Sequence, residues 1–233
     1  MAILHTLRTA YYFLHGALVA PHIRSILEPA VTRVYVGYRA MDLFMHVNNA
    51  RYLEYFEFAR WHHGARANIN ARFWDTGVYP VVGTAHVQFL KELKPGRFAF
   101  VSTQVVGVHK RSLVLEQRLV THKPKTQEEV LHATMVMRAT FLRKGKALEI
   151  ADVIKAYDLD PDYFRKAIPF HGVEPPAPTG KGLGGTDPTV APAMPPFIAQ
   201  YNECDDAWRA RLKEERERGM PALGVNLDDM PKE

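Results

Sequence analysis

Asp42, His46 and Asn49 lie within eight consecutive positions, between the end of a predicted strand and the start of a predicted helix. The Asp42 carboxylate could act as a general base or as a nucleophile. The unpaired N–H groups of a first helical turn, here near Asn49, can hold a carbonyl oxygen on which negative charge develops. The His46 imidazole could position or polarise a substrate. The same spacing also fits purely structural roles, in which Asp42 caps a turn and His46 only precedes the helix.

The sequence lacks the motifs of several other catalytic classes. It has no G-x-S-x-G, no P-loop, no G-x-G-x-x-G after a strand and no H-E-x-x-H. The adjacent His62 and His63 would point to different faces of a helix, so we expect no bound metal. Cys204 is the single cysteine, which excludes an intramolecular disulfide and a zinc site built on several cysteines.

The elements around this segment are predicted from hydrophobic patterning. Residues Val31–Tyr38 alternate and are rich in β-branched side chains, which predicts a strand. A helix is predicted from Asn48 to about Asn68, and its apolar residues cover so much of its circumference that it should be buried on several sides. Four strands should follow, with turns at 94–96 and 123–125. They span about 81–93, 97–108, 111–122 and 129–143. This order predicts an α+β domain in which an antiparallel sheet curls round the helix.

The remaining segments are predicted to be appendages of this domain. Residues 172–196 contain seven prolines and five glycines, a composition typical of an irregular connector. The predicted division is a helical, amphipathic or targeting-like segment 1–30, the main domain 31–157, a short helical or irregular segment 158–171, the connector 172–196, a helix 197–219 and a tail 220–233.

The first 27 residues contain no acidic residue, and their apolar stretch is too short to span a bilayer comfortably. Three interpretations stay open: a mitochondrial presequence, an interfacial amphipathic helix, or a helix packed on the main domain. A cleaved signal peptide is the least favoured. Cytoplasmic localisation is favoured, with the membrane surface and the mitochondrion as alternatives. The apolar face of this helix would contain Leu4, Leu7, Tyr11, Leu14 and Leu18.

The net charge of +5 is unevenly distributed along the 233 residues. Residues 1–171 hold 23 Lys and Arg against 14 Asp and Glu, whereas residues 172–233 hold 7 against 11. A basic main part suits a partner that carries phosphates. Because the sequence has no run of basic residues, no zinc finger and no RRM signature, we expect no nucleic-acid partner.

The string D-x-x-x-H-V-N-N-x-x-Y-L, from Asp42 to Leu53, leads into an E-x-A-R-like helix. It resembles the hotdog-fold thioesterases of the 4-hydroxybenzoyl-CoA thioesterase-like group, and the resemblance covers about residues 31–155. Many members have glycine immediately before the histidine, where this chain has Met45, and plant-type acyl-carrier-protein thioesterases have asparagine at the position of Phe44. The later matching segments are Val87–Gly96 and Arg111–Leu113, and one subgroup also matches at Val173–Pro176 and Tyr201–Glu203.

The resemblance implies a hotdog fold, a long helix wrapped by a curved antiparallel sheet, here with N- and C-terminal helical extensions. It further implies a homodimer whose sheets join edge to edge, with pairing into a tetramer left open. The implied reaction is hydrolysis of an acyl-CoA or acyl-carrier-protein thioester by the Asp42 carboxylate. A backbone N–H near Asn49 would polarise the carbonyl, and His46 is a secondary candidate.

CoA or phosphopantetheine would then enter as part of the substrate, and we expect no separate cofactor. Its phosphates would meet cationic side chains at the pocket mouth. The candidates are Lys91, Lys94, Arg97, Lys110 and Arg111. Two alternative functions stay open: a non-catalytic acyl or lipid binder held at a membrane by residues 1–27, and a hotdog enoyl-CoA hydratase.

Overall fold

The structure, a computed structural model, describes residues 2–177 and 194–218. The chain divides into two compact units, Met1–Met194 and Pro195–Glu233. Most of the predicted connector and the whole predicted tail lie outside the described residues. The helices are α1 (Ala2–Leu18), α2 (Asn49–Arg66), α3 (Arg72–Thr76), α4 (Ile150–Ala156), α5 (Pro161–Ala167) and α6 (Pro196–Glu217), with a 3₁₀ turn at Tyr38–Ala40. The strands are β1 (Ala30–Val36), β2 (Val78–Phe89), β3 (Arg97–His109), β4 (Ser112–His122), β5 (Glu129–Arg143), β6 (Lys146–Ala147) and β7 (Phe170–His171).

The five long strands form one antiparallel sheet in the order β1-β3-β4-β5-β2. Irregularities in register interrupt three strand pairs, at Val82/Thr84, Val105/Gly107 and Leu119/Val120. Such bulges bend a strand and increase its twist, which lets the sheet curl. The prediction of an α+β hotdog fold is confirmed.

Helix α2 supplies the centre of the core. Asn48 caps it, because its side-chain oxygen accepts a hydrogen bond from the Ala50 N–H at 2.9 Å. Phe56 and Phe58 are fully buried, and burial of each aromatic side chain is worth about 1.5–3 kcal/mol. The same core contains residues from four strands of the sheet, β1, β3, β4 and β5, among them Val34, Val101, Leu119 and Met135.

Helix α1 packs against α2 with its more polar side. Tyr12 stacks on Phe58 with ring centroids 5.1 Å apart, and the Arg8 guanidinium lies 4.7 Å from the same ring. The His5 imidazole lies 3.4 Å from the Glu57 carboxylate. The apolar face predicted for this helix is the exposed one. An ordinary surface helix instead buries its apolar face and exposes its polar face. Its exposed large apolar residues are Ile3, Leu4, Leu7, Tyr11, Leu14 and Leu18.

Helices α1 and α2 approach each other most closely at Gly16. A Cβ atom at Gly16 would lie only 2.6 Å from the His62 carbonyl oxygen and 3.1 Å from the Ala65 Cβ. Beside this contact, His15 Nδ1 and His62 Nε2 are 3.2 Å apart, and His62 Nδ1 lies 2.9 Å from the Thr32 hydroxyl. A short polar chain therefore connects α1 through α2 to β1.

The largest departure from the predicted elements is in the second strand. The sequence predicts this strand over 81–93, but β2 spans Val78–Phe89. The N–H groups of Leu90 and Lys91 both donate to the carbonyl of His132, which ends the regular ladder with β5. Leu93 is fully buried, and its carbonyl accepts from Val47 instead of a sheet neighbour.

In the second unit, α6 begins and ends within two residues of its predicted bounds, 197–219. Ion pairs at i,i+4 spacing stabilise it modestly, with Asp205 to Arg209 at 3.0 Å and Glu215 to Arg211 at 2.7 Å. Cys204 is exposed on this helix.

Candidate functional site

Asp42 and His46 lie at the two ends of a tight hairpin loop. Met41 and Val47 form an isolated antiparallel bridge, and the Asp42 N–H donates to the His46 carbonyl at 2.9 Å. The Met45 N–H donates to the Asp42 carbonyl, which closes a turn inside the loop. The loop therefore holds Asp42 and His46 side by side, as the spacing of four residues allowed.

The Asp42 carboxylate makes two different contacts. Its Oδ1 atom accepts from the Phe44 N–H at 2.9 Å, which is an Asx turn. Its Oδ2 atom lies 3.4 Å from His46 Nδ1, and about a fifth of the side chain stays exposed. These contacts fit both roles considered for Asp42, because Oδ1 caps the turn while Oδ2 faces the imidazole.

Met45 occupies the left-handed region with φ of +63°. A side chain in this conformation strains the backbone, whereas glycine does not. We expect Met45→Gly to raise the free energy of unfolding by ~1 kcal/mol, since glycine adopts this conformation without a steric cost. Urea unfolding would measure the gain, with Met41→Gly at extended backbone as the control that should lose stability. A lower free energy of unfolding for Met45→Gly than for the parent would show that the backbone at Met45 is not strained.

The first turn of α2 leaves one N–H group available. The Ala50 N–H is bound to the Asn48 side chain, and the Arg51 N–H is bound to the Asn48 carbonyl. The Asn49 N–H has no hydrogen-bond partner among the described residues, and Asn49 is exposed. It follows Val47, the bridge partner of Met41, by two residues. A donor of this kind at a helix start can hold a developing oxyanion.

Three of the five predicted cations lie on the segment next to this loop. The Val47 N–H donates to the Leu93 carbonyl at 2.8 Å, so Lys91 and Lys94 flank the residue that contacts the loop. Arg97 begins β3 opposite Val36. His132 fixes the start of the segment, because its Nδ1 lies 3.2 Å from the Lys91 carbonyl oxygen.

Lys110 and Arg111 lie elsewhere, in the turn between β3 and β4 at the opposite end of the sheet. Arg111 contacts the Glu149 carboxylate at 2.5 Å. Lys91, Lys94 and Arg97 therefore lie on or next to the segment that contacts the Asp42 loop, whereas Lys110 and Arg111 lie at the other end of the sheet.

An open groove of about 1320 Å³ between α1, the 3₁₀ turn and α2 contains three further arginines. Arg8 donates to the Tyr35 carbonyl, and Arg51 pairs with Glu54. Arg39 is exposed. Sequence reasoning missed this set, since nothing in the spacing of positions 8, 39 and 51 indicates that they share a groove.

A second cavity of about 340 Å³ lies between α2 and the sheet and is lined mainly by apolar side chains. Glu57 and Arg60 from the middle of α2 also line it. Burial lowers the pKa of the Arg60 guanidinium to about 10, an effect that the nearby Glu57 charge opposes. The sequence did carry a signal for this site, namely two charged residues inside a helix predicted to be buried on several sides.

Among the described residues, no group of three His, Cys, Asp or Glu side chains could hold a metal ion. No helix in the described ranges is long and apolar enough to cross a bilayer.

Comparison with known proteins gives a consistent result. Residues 36–200 match the Thioesterase-like superfamily. Protein THEM6 of Danio rerio is 31% identical over 139 residues, which cover 57% of this chain and 67% of that protein. Protein THEM6 of Xenopus laevis is 22% identical over 174 residues, which cover 72% and 82%. The 4-hydroxybenzoyl CoA thioesterase from Pseudomonas sp. strain CBS-3 is 12% identical, with a TM-score of 0.49 over 55% of this chain and 98% of that one.

The family match and the THEM6 relative of Danio rerio confirm the predicted group, and the subgroup suggested by the C-terminal strings is that of thioesterase superfamily member 6. The matched residues include the Asp42 loop, α2 and the whole sheet from β2 to β5. The chain belongs to the Thioesterase-like superfamily, the thioester hydrolases of the hotdog fold.

Proposed function

We propose that this protein hydrolyses acyl-CoA thioesters with Asp42 as the base or nucleophile. One observation carries the proposal: a partly exposed carboxylate paired with an imidazole lies beside the same β-bridge as a helix N-terminal N–H that has no hydrogen-bond partner among the described residues. Neither group alone would suffice, because a thioesterase needs both activation of the attacking oxygen and stabilisation of the oxyanion.

In the proposed reaction the thioester carbonyl oxygen accepts a hydrogen bond from the Asn49 N–H. Either Asp42 removes a proton from water, which attacks the carbonyl carbon, or the carboxylate attacks directly and water then cleaves the acyl-enzyme anhydride. In both routes the C–S bond breaks and the thiolate of CoA takes up a proton. His46, 3.4 Å from Asp42, would orient the carboxylate. The phosphates of CoA would lie near Lys91, Lys94 and Arg97.

A thiol-release screen across acyl-CoA chain lengths tests this proposal. Hydrolysis releases free CoA thiol, whereas a hotdog hydratase acting on enoyl-CoA would consume the double bond without releasing thiol. Running both assays on the same preparation separates the two functions. Hydration without thiol release would overturn the proposal.

We also propose that the working unit is a homodimer that joins through β2. This strand is at the edge of the sheet and is exposed along almost its whole length after Val78. Its exposed apolar residues include Tyr79, Val81, Val82 and Phe89. A long, exposed, apolar edge strand promotes uncontrolled association unless another chain covers it.

Val82→Lys is expected to shift the protein from dimer to monomer at micromolar concentration, because an edge lysine opposes strand pairing. Light scattering after gel filtration measures the mass. Val31→Lys is the matched control, since Val31 is similarly exposed on β1 at the other edge of the sheet and should leave the mass unchanged. A parent protein that is monomeric, or a Val82→Lys variant that stays dimeric, would exclude β2 as the interface.

The inverted amphipathicity of α1 favours a second candidate role, attachment to a membrane surface. Its apolar side is exposed, and residues 1–27 carry Arg8 and Arg24 without any acid, which suits an anionic bilayer. Full-length protein should co-sediment with phosphatidylserine-containing liposomes, and Leu7→Glu combined with Leu14→Glu should abolish this. Equal partitioning of parent and variant would exclude α1 as the attachment site.

A further inference from the structure

The interior cavity between α2 and the sheet combines an apolar wall with a cation. Its apolar lining includes Trp61, Phe73, Leu115 and Met137, which suit an alkyl chain. Arg60 lies in the same wall. An alkyl chain alone gives a guanidinium nothing to bind, and a buried charge without a partner is costly.

The Arg60 guanidinium has one hydrogen-bond partner among the described residues. Its Nη1 atom donates to the Gln117 side-chain oxygen at 2.8 Å. The described part of the chain shows no carboxylate within ion-pair distance of the Arg60 guanidinium. The carboxylate of the nearby Glu57 instead lies 3.4 Å from the His5 imidazole of α1. A guanidinium has five N–H donors, so most of the donors of Arg60 remain for a ligand.

Gln117 fixes the orientation of Arg60. Gln117 is fully buried, and its Nε2 group donates both to the Phe56 carbonyl at 3.0 Å and to the Thr103 hydroxyl at 2.8 Å. Since both amide hydrogens are used, the amide oxygen must face Arg60. The guanidinium is thereby held in place before any ligand arrives, which is what selective binding requires.

Arg60 also lies on the same side of α2 as the candidate oxyanion site. It follows Asn49 by eleven residues within one helix. At 3.6 residues per turn this is about three turns, so the two positions share a face and are ~16 Å apart along the axis. The cavity lining on α2 begins at Glu57, about two turns beyond Asn49, so an acyl chain held at the Asn49 N–H would have to pass the first two turns of α2 to reach the guanidinium.

We propose that Arg60 is a specificity residue that binds an oxygen-bearing group, a hydroxyl or carboxylate, at the distal end of the acyl chain in this cavity. The inference rests on the proposed function and narrows its substrate class from plain to ω-oxygenated acyl thioesters. A carboxylate is the better partner, because a guanidinium can donate two parallel hydrogen bonds to it.

The test compares thiol release from dodecanoyl-CoA with release from its ω-hydroxy and ω-carboxy analogues. For the parent, kcat/KM should be at least about tenfold higher for the oxygenated substrates. Arg60→Met should remove that ratio and keep or improve turnover of dodecanoyl-CoA. Arg118→Met, which removes an exposed arginine outside the cavity, is the matched control and should retain the parent ratio. Arg60→Lys should give an intermediate ratio.

A binding measurement keeps the test independent of catalysis. Displacement of a fluorescent fatty acid by dodecanoic, ω-hydroxydodecanoic and dodecanedioic acids reports the affinity of the cavity, with circular dichroism to confirm that each variant folds. Preference for the oxygenated acids in the parent and its loss in Arg60→Met support the inference. Hydrolysis of dodecanoyl-CoA with equal ratios in parent and Arg60→Met would overturn it and leave the proposed thioesterase function standing. Absence of thiol release together with the expected binding preference would overturn the proposed thioesterase function and leave the assignment of Arg60 standing.

Discussion

Asp42→Asn is expected to lower kcat for acyl-CoA hydrolysis by about 10²- to 10⁴-fold. The amide can neither accept a proton from water nor form an acyl-enzyme anhydride, so both proposed routes lose their first step. Binding should change little, because the Asn49 N–H and the cations at Lys91 and Lys94 are untouched. The expected result is therefore a large fall in kcat with a KM within a few-fold of the parent value.

This substitution separates chemistry from structure. The asparagine side-chain oxygen can still accept from the Phe44 N–H, so the Asx turn that Asp42 makes at 2.9 Å should persist. Asp75→Asn, which changes an exposed acid in α3, is the matched control and should keep full activity. Steady-state thiol release and thermal unfolding would be measured on the same samples. Asp42→Asn with parental kcat would remove Asp42 from the mechanism.

Between pH 6.5 and pH 4 the parent should lose free energy of unfolding because of His62, and His62→Gln is expected to reduce that loss by about 3 kcal/mol. Burial, and then the charges of His15, Arg66 and His63, lowers the pKa of His62 from 6.5 to about 4 in the folded protein. The unfolded chain therefore binds a proton in this range and the folded chain does not. Stability is fully present above about pH 6.5 and is lost as the pH falls towards 4.

Among the residues that the structure describes, no carboxylate faces His62 to favour its protonation. It faces His15 of α1 at 3.2 Å and the Thr32 hydroxyl of β1 at 2.9 Å, with Arg66 and His63 on its own helix. His63 is itself buried, its pKa is lowered chiefly by burial, and it contacts the Glu28 carbonyl. Protonating both imidazoles of the His15–His62 pair would also break the hydrogen bond between them, because neither could accept.

Urea unfolding at several pH values would measure this effect. His62→Gln should be less stable than the parent at about pH 7.5, since Thr32 loses a buried partner, and the difference should shrink or reverse near pH 4. His22→Gln, at an exposed histidine, is the control and should follow the parent curve. If His62→Gln loses as much stability on acidification as the parent, His62 is not a neutral buried group in the folded protein.

The main elements could be predicted from sequence because local signals and the fold agree. The turn signal at 123–125 separates the third and fourth predicted strands; the fourth is predicted over 129–143, and the structure has Glu129–Arg143. The end of β2 could not be predicted in this way, because it depends on His132, a residue more than forty positions later that captures two N–H groups. Periodicity records which face of a strand is apolar, not which distant carbonyl ends its ladder.

The residues of the candidate site also differ in how far sequence could predict their proximity. Asp42, His46 and Asn49 are close in sequence, so their proximity followed from local geometry. Arg60 is paired with Gln117, which is fifty-seven residues away, and that pairing depends on how the sheet curls over α2. Likewise, Lys110 could not be distinguished from Lys91 by charge alone, because only the topology puts them at opposite ends of the sheet.

The close approach at Gly16 fixes an angle as well as a contact. Any rotation of α1 about its own axis would bring a side chain, in place of Gly16, against the His62 carbonyl, where a Cβ has only 2.6 Å. The direction in which Leu7 and Leu14 face is consequently locked relative to α2, and so to the Asp42 loop at the start of α2. If α1 attaches to a membrane surface as proposed, the absence of a side chain at Gly16 therefore fixes how the candidate site at Asp42 is oriented towards that surface.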